Sequence, residues 1–136
     1  YAYLALGVPG DTTAFDKLYA RDLYGIGLNA DLVVLSACET ATGKLRRGEG
    51  IVSLARAFSF AGAKSLVTTL WKVDDATTKN LMLNFYYHLH DGQAKDAALR
   101  QAKFDFLKNS RAVDGNLMHP FFWAGFVAVG DMQPLK

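Results

Sequence analysis

The clearest pattern in the chain is the continuous apolar run DLVVLSA at residues 31–37, which Cys38 closes. A polar stretch rich in small residues follows it. A run of this length without polar alternation is typical of a strand that is buried on both faces, as in a parallel sheet covered by helices.

The next segments predict a helix and a second strand. In IVSLARAFSFAGA, Ile51, Leu54, Ala55 and Phe58 recur at helical spacing, and Gly62 stands where a left-handed helix cap would fall. The strand SLVTTLW at 65–71 follows almost at once. A strand, a helix and a strand in this order form a right-handed βαβ unit with parallel pairing, here over residues 32–71.

The remaining pattern completes an α/β chain. A helix that Asp75 or Thr77 caps should end near Gly92, with Met82, Phe85, Tyr86 and Leu89 on one face. Further segments are a helix from about 94 to 108, a polar loop NSRAVDGN, a buried strand FFWAGFVAVG at 121–130, an upstream strand YLALG, and a short strand or helical turn in LYARDLYGIGLN. We therefore expect a three-layer α/β sandwich with a mostly parallel, incomplete sheet.

Composition and charge restrict the function. The chain has 136 residues, 51% of them hydrophobic, which is enough for one core, and it begins on the apolar YAYLALG, so we expect it to be most of one domain. A net charge of +2 without a basic stripe argues against direct nucleic-acid binding, and no apolar run is long enough for a membrane span. A single cysteine excludes an internal disulfide and suits a reducing cytoplasm. We expect neither a cofactor nor a metal.

Cys38 is the candidate nucleophile. Chemistry in open α/β sheets gathers at the carboxyl ends of the strands, which is where Cys38 falls. Lys44, Arg46 and Arg47 downstream could favour the reactive thiolate. The alternative is a small buried hydrophobic residue, but Cys38 stands where apolar sequence gives way to polar sequence.

The chain resembles the CHAT domains, caspase relatives commonly found behind tetratricopeptide repeats. The motifs that carry the resemblance are LSACET, RGEG, LARAF, AGA, LWKVDD, ALRQA and HPFFWAGFVAVGD. The resemblance implies a caspase-like cysteine peptidase with Cys38 as nucleophile and a histidine as acid and base, acting on a protein or peptide substrate. It also implies an upstream repeat region in the same polypeptide.

The three histidines of the chain all follow Cys38, whereas the histidine of a caspase-type site precedes the cysteine. In caspase-type sites the histidine lies roughly 50 residues before the cysteine, whereas the 37 residues before Cys38 contain none. His88 and His90 near a helix end, and His119 before Pro120, suit structural roles better. We expect the family histidine before residue 1.

Four further residues are candidates for a substrate pocket. Trp71, Asp74 and Asp75 follow the second strand, and their acidic pair would suit a basic side chain. Glu39 follows the nucleophile and could line the same pocket. The alternatives are that Asp75 caps the helix and that Asp74 and Glu39 are solvated.

Two functions remain open. One is a protein-cutting enzyme, and the other is a CHAT-like fold that serves as an interaction or scaffold module without turnover. A histidine within about 15 residues before Tyr1 would favour the enzyme. A hydrolase or small-ligand binder of another family is disfavoured, since no GxSxG motif or phosphate loop occurs.

Overall fold

The computed structural model describes residues 3–8, 11–35 and 49–136, which form a mixed α/β structure. The strands are β1 (Tyr3–Val8), β2 (Asp11–Tyr19), β3 (Val33–Leu35), β4 (Ser65–Thr69) and β5 (Phe126–Gly130). The helices are α1 (Ala20–Leu23), α2 (Glu49–Ala61), α3 (Asp75–His90) and α4 (Lys95–Val113). Two 3₁₀ turns, Gly115–Met118 and Pro120–Phe122, precede β5. Among these helices, none is both long and apolar enough to cross a bilayer.

The predicted βαβ unit is confirmed. β3 pairs with β4 in parallel, with Val33 opposite Leu66 and Leu35 opposite Thr68, and α2 connects the two strands. The described sheet has the order β3-β4-β5. β1 and β2 form a separate antiparallel hairpin, which confirms a strand at YLALG.

Both faces of this sheet carry apolar packing, because neighbouring residues of β4 point to opposite sides. Leu66 belongs to a cluster with α1 and α2, and Val67 belongs to a second cluster with α3 and α4. The first contains Leu4, Ala20, Leu23, Leu54, Ala57, Phe58, Ala63 and Leu66; the second contains Val67, Val73, Leu81, Met82, Phe85, Leu89, Ala98, Leu99, Ala102 and Phe126. Helices therefore cover the described sheet on both sides.

The end of α2 depends on glycine, as the sequence predicted. Gly62 has a φ of 108°, and a Cβ at this position would lie 2.2 Å from the carbonyl oxygen of Leu28. The loop before β3 comes this close because Leu28 N donates a hydrogen bond to Ala61 O at 2.6 Å. That bond satisfies one of the carbonyl groups that the helix end leaves unpaired.

Replacing Gly62 with alanine should therefore lower the free energy of unfolding by at least about 2 kcal/mol, because left-handed strain adds to a backbone clash. Gly92 is the matched control, since it has a φ of 79° but open space around its Cβ position. Gly92→Ala should cost only about 1 kcal/mol of strain. Chemical denaturation of both variants measures the difference, and equal losses would contradict the role of the Leu28 contact.

Several predicted boundaries were wrong. α4 continues to Val113 instead of ending near 108, so the first half of NSRAVDGN is helical, because buried Ser110 extends the buried face one turn beyond Phe106. Residues 121–125 are not part of a strand: Pro120 begins a 3₁₀ turn, and β5 begins at Phe126. β5 is also antiparallel to β4 and only partly buried.

Two smaller differences concern α3 and β4. Tyr86 was expected on the buried face of α3, but it is 49% exposed. β4 ends at Thr69 instead of residue 71. The first difference arises because α3 packs on α4 along a narrower stripe, which contains Leu81, Met82, Phe85 and Leu89.

Candidate active site at the carboxyl edge of the sheet

The candidate site lies where the two parallel strands end. β3 ends at Leu35 and β4 at Thr69, and parallel pairing brings these ends to the same edge of the sheet. Cys38 and Glu39 follow β3 by three and four residues, and they lie outside the described residues. The described part of the site therefore consists of the segments after β4 and before β5.

Trp71 connects these two segments. Its indole Nε1 donates a hydrogen bond to Phe121 O at 2.8 Å, and the two rings stack with centroids 6.3 Å apart. Gly125 makes the approach possible, because a Cβ there would lie 2.8 Å from the indole ring. Trp71 is half-buried, and part of its ring contacts Phe121.

Asp74 caps α3, which corrects the assignment of the cap to Asp75 or Thr77. Its Oδ2 accepts a hydrogen bond from Thr77 N at 2.8 Å, and hydrogen bonds from the side chain and backbone of Thr77 lower the pKa of Asp74. Asp75 is the first residue of α3, and both carboxyl groups are exposed. The two acidic side chains thus lie side by side at this edge, with Asp74 held in its ionised form.

His88 lies far from this edge. α3 is 16 residues long and begins at the edge, so its far end is about 20 Å away at 1.5 Å per residue. There Nε2 of His88 lies 2.6 Å from Oδ2 of Asp105 in α4. Burial raises the pKa of Asp105, but hydrogen bonds from His88 and Gln101 outweigh that effect and lower it. His88 thus joins two helices, and His90 is exposed at the same far end.

His119 lies at the candidate edge, that is, the edge of the sheet where β3 and β4 end. The sequence had indicated only a structural role for it. Because β5 runs antiparallel and Phe126 pairs with Thr69, the residues before β5 return to the edge where β4 ends. The Nδ1 atom of His119 accepts a hydrogen bond from Phe121 N at 3.2 Å, which caps the turn Pro120–Phe122. In the neutral ring this leaves the proton on Nε2, so this tautomer has no nitrogen available as a base.

The pair His119–Pro120 was a sequence signal for a capped helical turn at this place. Proline is common at the first position of a helical turn, and the residue before it is the one that caps the turn. Reading residues 119–122 as a capped helical turn would have shortened the last strand at its amino end.

Comparison with known proteins places the chain in a family. A model of the CHAT domain matches residues 2–131. The chain belongs to the CHAT domain family. Two tetratricopeptide repeat proteins 28 are similar to it: the mouse protein is 37% identical and the human protein 34% identical, each over 113 residues. The match covers 83% of this chain and 4% of each relative. No solved structure is a significant match.

Two of the CHAT motifs lie at the candidate edge. LWKVDD supplies Trp71, Asp74 and Asp75 after β4, and HPFFWAGF supplies the segment that contacts Trp71 through Phe121. LARAF and AGA form the end of α2 that leads into β4. LWKVDD and HPFFWAGF thus build this edge of the sheet, whereas LARAF and AGA belong to the connection from α2 to β4.

Proposed function

We propose that this CHAT domain carries the nucleophile of a caspase-like cysteine peptidase, Cys38, and cuts protein substrates. The observation that carries the proposal is the parallel pairing of β3 with β4 through α2. Cys38 follows β3 by three residues in the sequence, and the acidic pair follows β4 at the same edge. A caspase-like three-layer sandwich is part of the proposal, and it is supported by helices on both faces of the described sheet.

The proposed chemistry is acyl transfer. The thiolate of Cys38 attacks the peptide carbonyl carbon, the C–N bond breaks, and the amine leaves with a proton from the catalytic histidine. Water then gives up a proton to that histidine and hydrolyses the thioester, which returns the thiolate. The backbone N–H of Cys38 is the proposed donor to the oxyanion, and the positive charges of Lys44, Arg46 and Arg47 would stabilise the thiolate.

We propose that the histidine comes from the longer polypeptide, upstream of residue 1. His88 and His90 lie about 20 Å along α3 from the edge, and Nδ1 of His119 accepts a backbone hydrogen bond. The related tetratricopeptide repeat proteins 28 are far longer than the matched region, which is 4% of their length. A protein of that length has room for an upstream histidine and for a repeat region, which we propose as an intramolecular partner.

The proposed substrate pocket takes a basic side chain before the cleaved bond. Asp74 and Asp75 are exposed at the candidate edge, and the Thr77 hydrogen bonds keep the Asp74 carboxylate ionised. Trp71 would form one wall and Glu39 another. An Arg or Lys side chain in this position would form charge-assisted hydrogen bonds with the acidic pair.

The alternative function is a scaffold or interaction module without turnover. One observation favours it: the described candidate residues already have structural partners. Trp71 binds Phe121, Asp74 caps α3, and His119 caps a 3₁₀ turn.

The test is cleavage of matched peptides by the longer polypeptide, with Arg, Lys or a neutral residue before the cut. We expect cleavage with a preference for the basic peptides, and we expect Asp74→Asn with Asp75→Asn to reduce that preference selectively. Asparagine is also a good helix cap, so the double variant removes charge with little effect on α3. No cleavage of any peptide would contradict the peptidase, whereas equal losses on basic and neutral peptides would contradict only the pocket.

A further inference from the structure

The outer edge of β5 is a second surface of interest. Leu70 N donates to Gly125 O at 2.9 Å, and Asp131 N donates to Lys64 O at 2.8 Å, so these pairs are hydrogen-bonded pairs of the antiparallel ladder. Hydrogen-bonded and non-bonded pairs alternate in such a ladder. The backbone groups of Phe126, Ala128 and Gly130 therefore point away from β4. In the described residues, no other strand pairs with this edge.

The sequence of β5 makes this edge prone to strand pairing. FVAVG contains no charged residue and no proline, and it contains two valines and a phenylalanine. Val129 is 53% exposed and Val127 is half-buried. Short uncharged strands with unpaired backbone groups tend to pair with other strands, and proteins commonly guard them with a lysine.

Lys103 of α4 occupies this edge. Its Nζ donates a hydrogen bond to Phe126 O at 2.6 Å, and the ladder shows that this carbonyl group points outward. The side chain is half-buried, and the loss of hydration lowers the pKa of the Lys103 ammonium. A lysine whose folded pKa is lowered binds its proton less tightly in the folded state than in the unfolded state. The hydrogen bond to Phe126 O acts in the opposite direction, because it stabilises the charged ammonium.

We propose that Lys103 keeps the outer edge of β5 from pairing with β5 of a second copy of this chain. The occupant is a second copy because an antiparallel edge is complementary to itself: two identical strands related by a two-fold axis offer each other the same donors and acceptors. The ammonium group blocks this pairing in two ways. It occupies the Phe126 carbonyl oxygen, and it would bring two like charges together across the axis.

The proposal predicts that removing the charge of Lys103 makes the folded chain associate. Lys103→Met removes the charge and the hydrogen bond to Phe126 O but keeps most of the apolar stem, so the variant should keep its helical circular dichroism while its apparent mass doubles in sedimentation velocity. A lysine with a purely structural role would instead lower the melting temperature and leave the mass unchanged. Lys108→Met is the matched control, because Lys108 is an exposed lysine on the same helix. It should remain a monomer.

Two further variants keep the test decisive. Val129→Lys places a new charge on the half-exposed face of β5, and in the Lys103→Met background it should restore the monomer if pairing occurs through this strand. Lys103→Ala replaces the methionine variant if the latter lacks helical circular dichroism. A folded Lys103 variant that stays monomeric at every concentration measured would overturn the proposal, as would a dimer that Val129→Lys leaves intact.

Discussion

Cys38→Ala in the longer polypeptide is expected to abolish peptide cleavage while the fold remains intact. The reason is chemical: alanine has no group that can attack the carbonyl carbon, and Cys38 is the only cysteine in the chain. The covalent intermediate therefore cannot form at this position. Initial rates on the basic peptide measure the effect, and circular dichroism with a melting curve shows whether the variant has folded.

Reactivity of the thiol separates the two proposed functions. A peptidase that holds Cys38 as a thiolate should be alkylated faster than a free thiol at neutral pH, and the rate should fall as the thiolate is protonated at lower pH. Cys38→Ser is the control for cleavage, since it keeps a hydroxyl group of similar size but a far weaker nucleophile. Unchanged cleavage in Cys38→Ala would contradict the assignment. A polypeptide without cleavage and with an ordinary thiol would support the scaffold function.

The central part of the fold could be predicted from the sequence because it depends on short-range signals. Apolar runs without alternation mark β3 and β4, helical spacing marks α2, and Gly62 marks the end of that helix. The parallel pairing of β3 with β4 then follows from the helical connection between them. The position of Asp74 and Asp75 at the carboxyl edge follows from the same unit.

Tertiary contacts decided the features that the sequence did not predict. Residues 121–130 have one continuous apolar pattern, yet the hydrogen bond from Trp71 to Phe121 O and the turn at Pro120 divide them into a turn and a strand. The partner and direction of β5 are given by its antiparallel pairing with β4, which is a long-range contact. The hydrogen bond from Trp71 to Phe121 O places His119, two residues before Phe121, at the candidate edge.

The chain of 136 residues alone is expected not to turn over peptides, even though it contains Cys38. Its histidines are either about 20 Å along α3 from the edge or, for His119, engaged through Nδ1 with a backbone N–H. Loss of general acid–base catalysis typically costs about 10²- to 10⁴-fold in rate. Hydrolysis measured side by side with the longer polypeptide checks this expectation.

The variants for this experiment follow from the geometry. His119→Ala and His88→Gln should leave the negligible activity of the chain unchanged, and His88→Gln should lower stability by loosening the contact between α3 and α4. Robust hydrolysis that disappears on Cys38→Ser and on His119→Ala, but persists in His88→Gln, would contradict the expectation. In that case the His119 ring must give up its bond to Phe121 N, because only the tautomer or ring orientation without that bond presents an unprotonated nitrogen to the thiol.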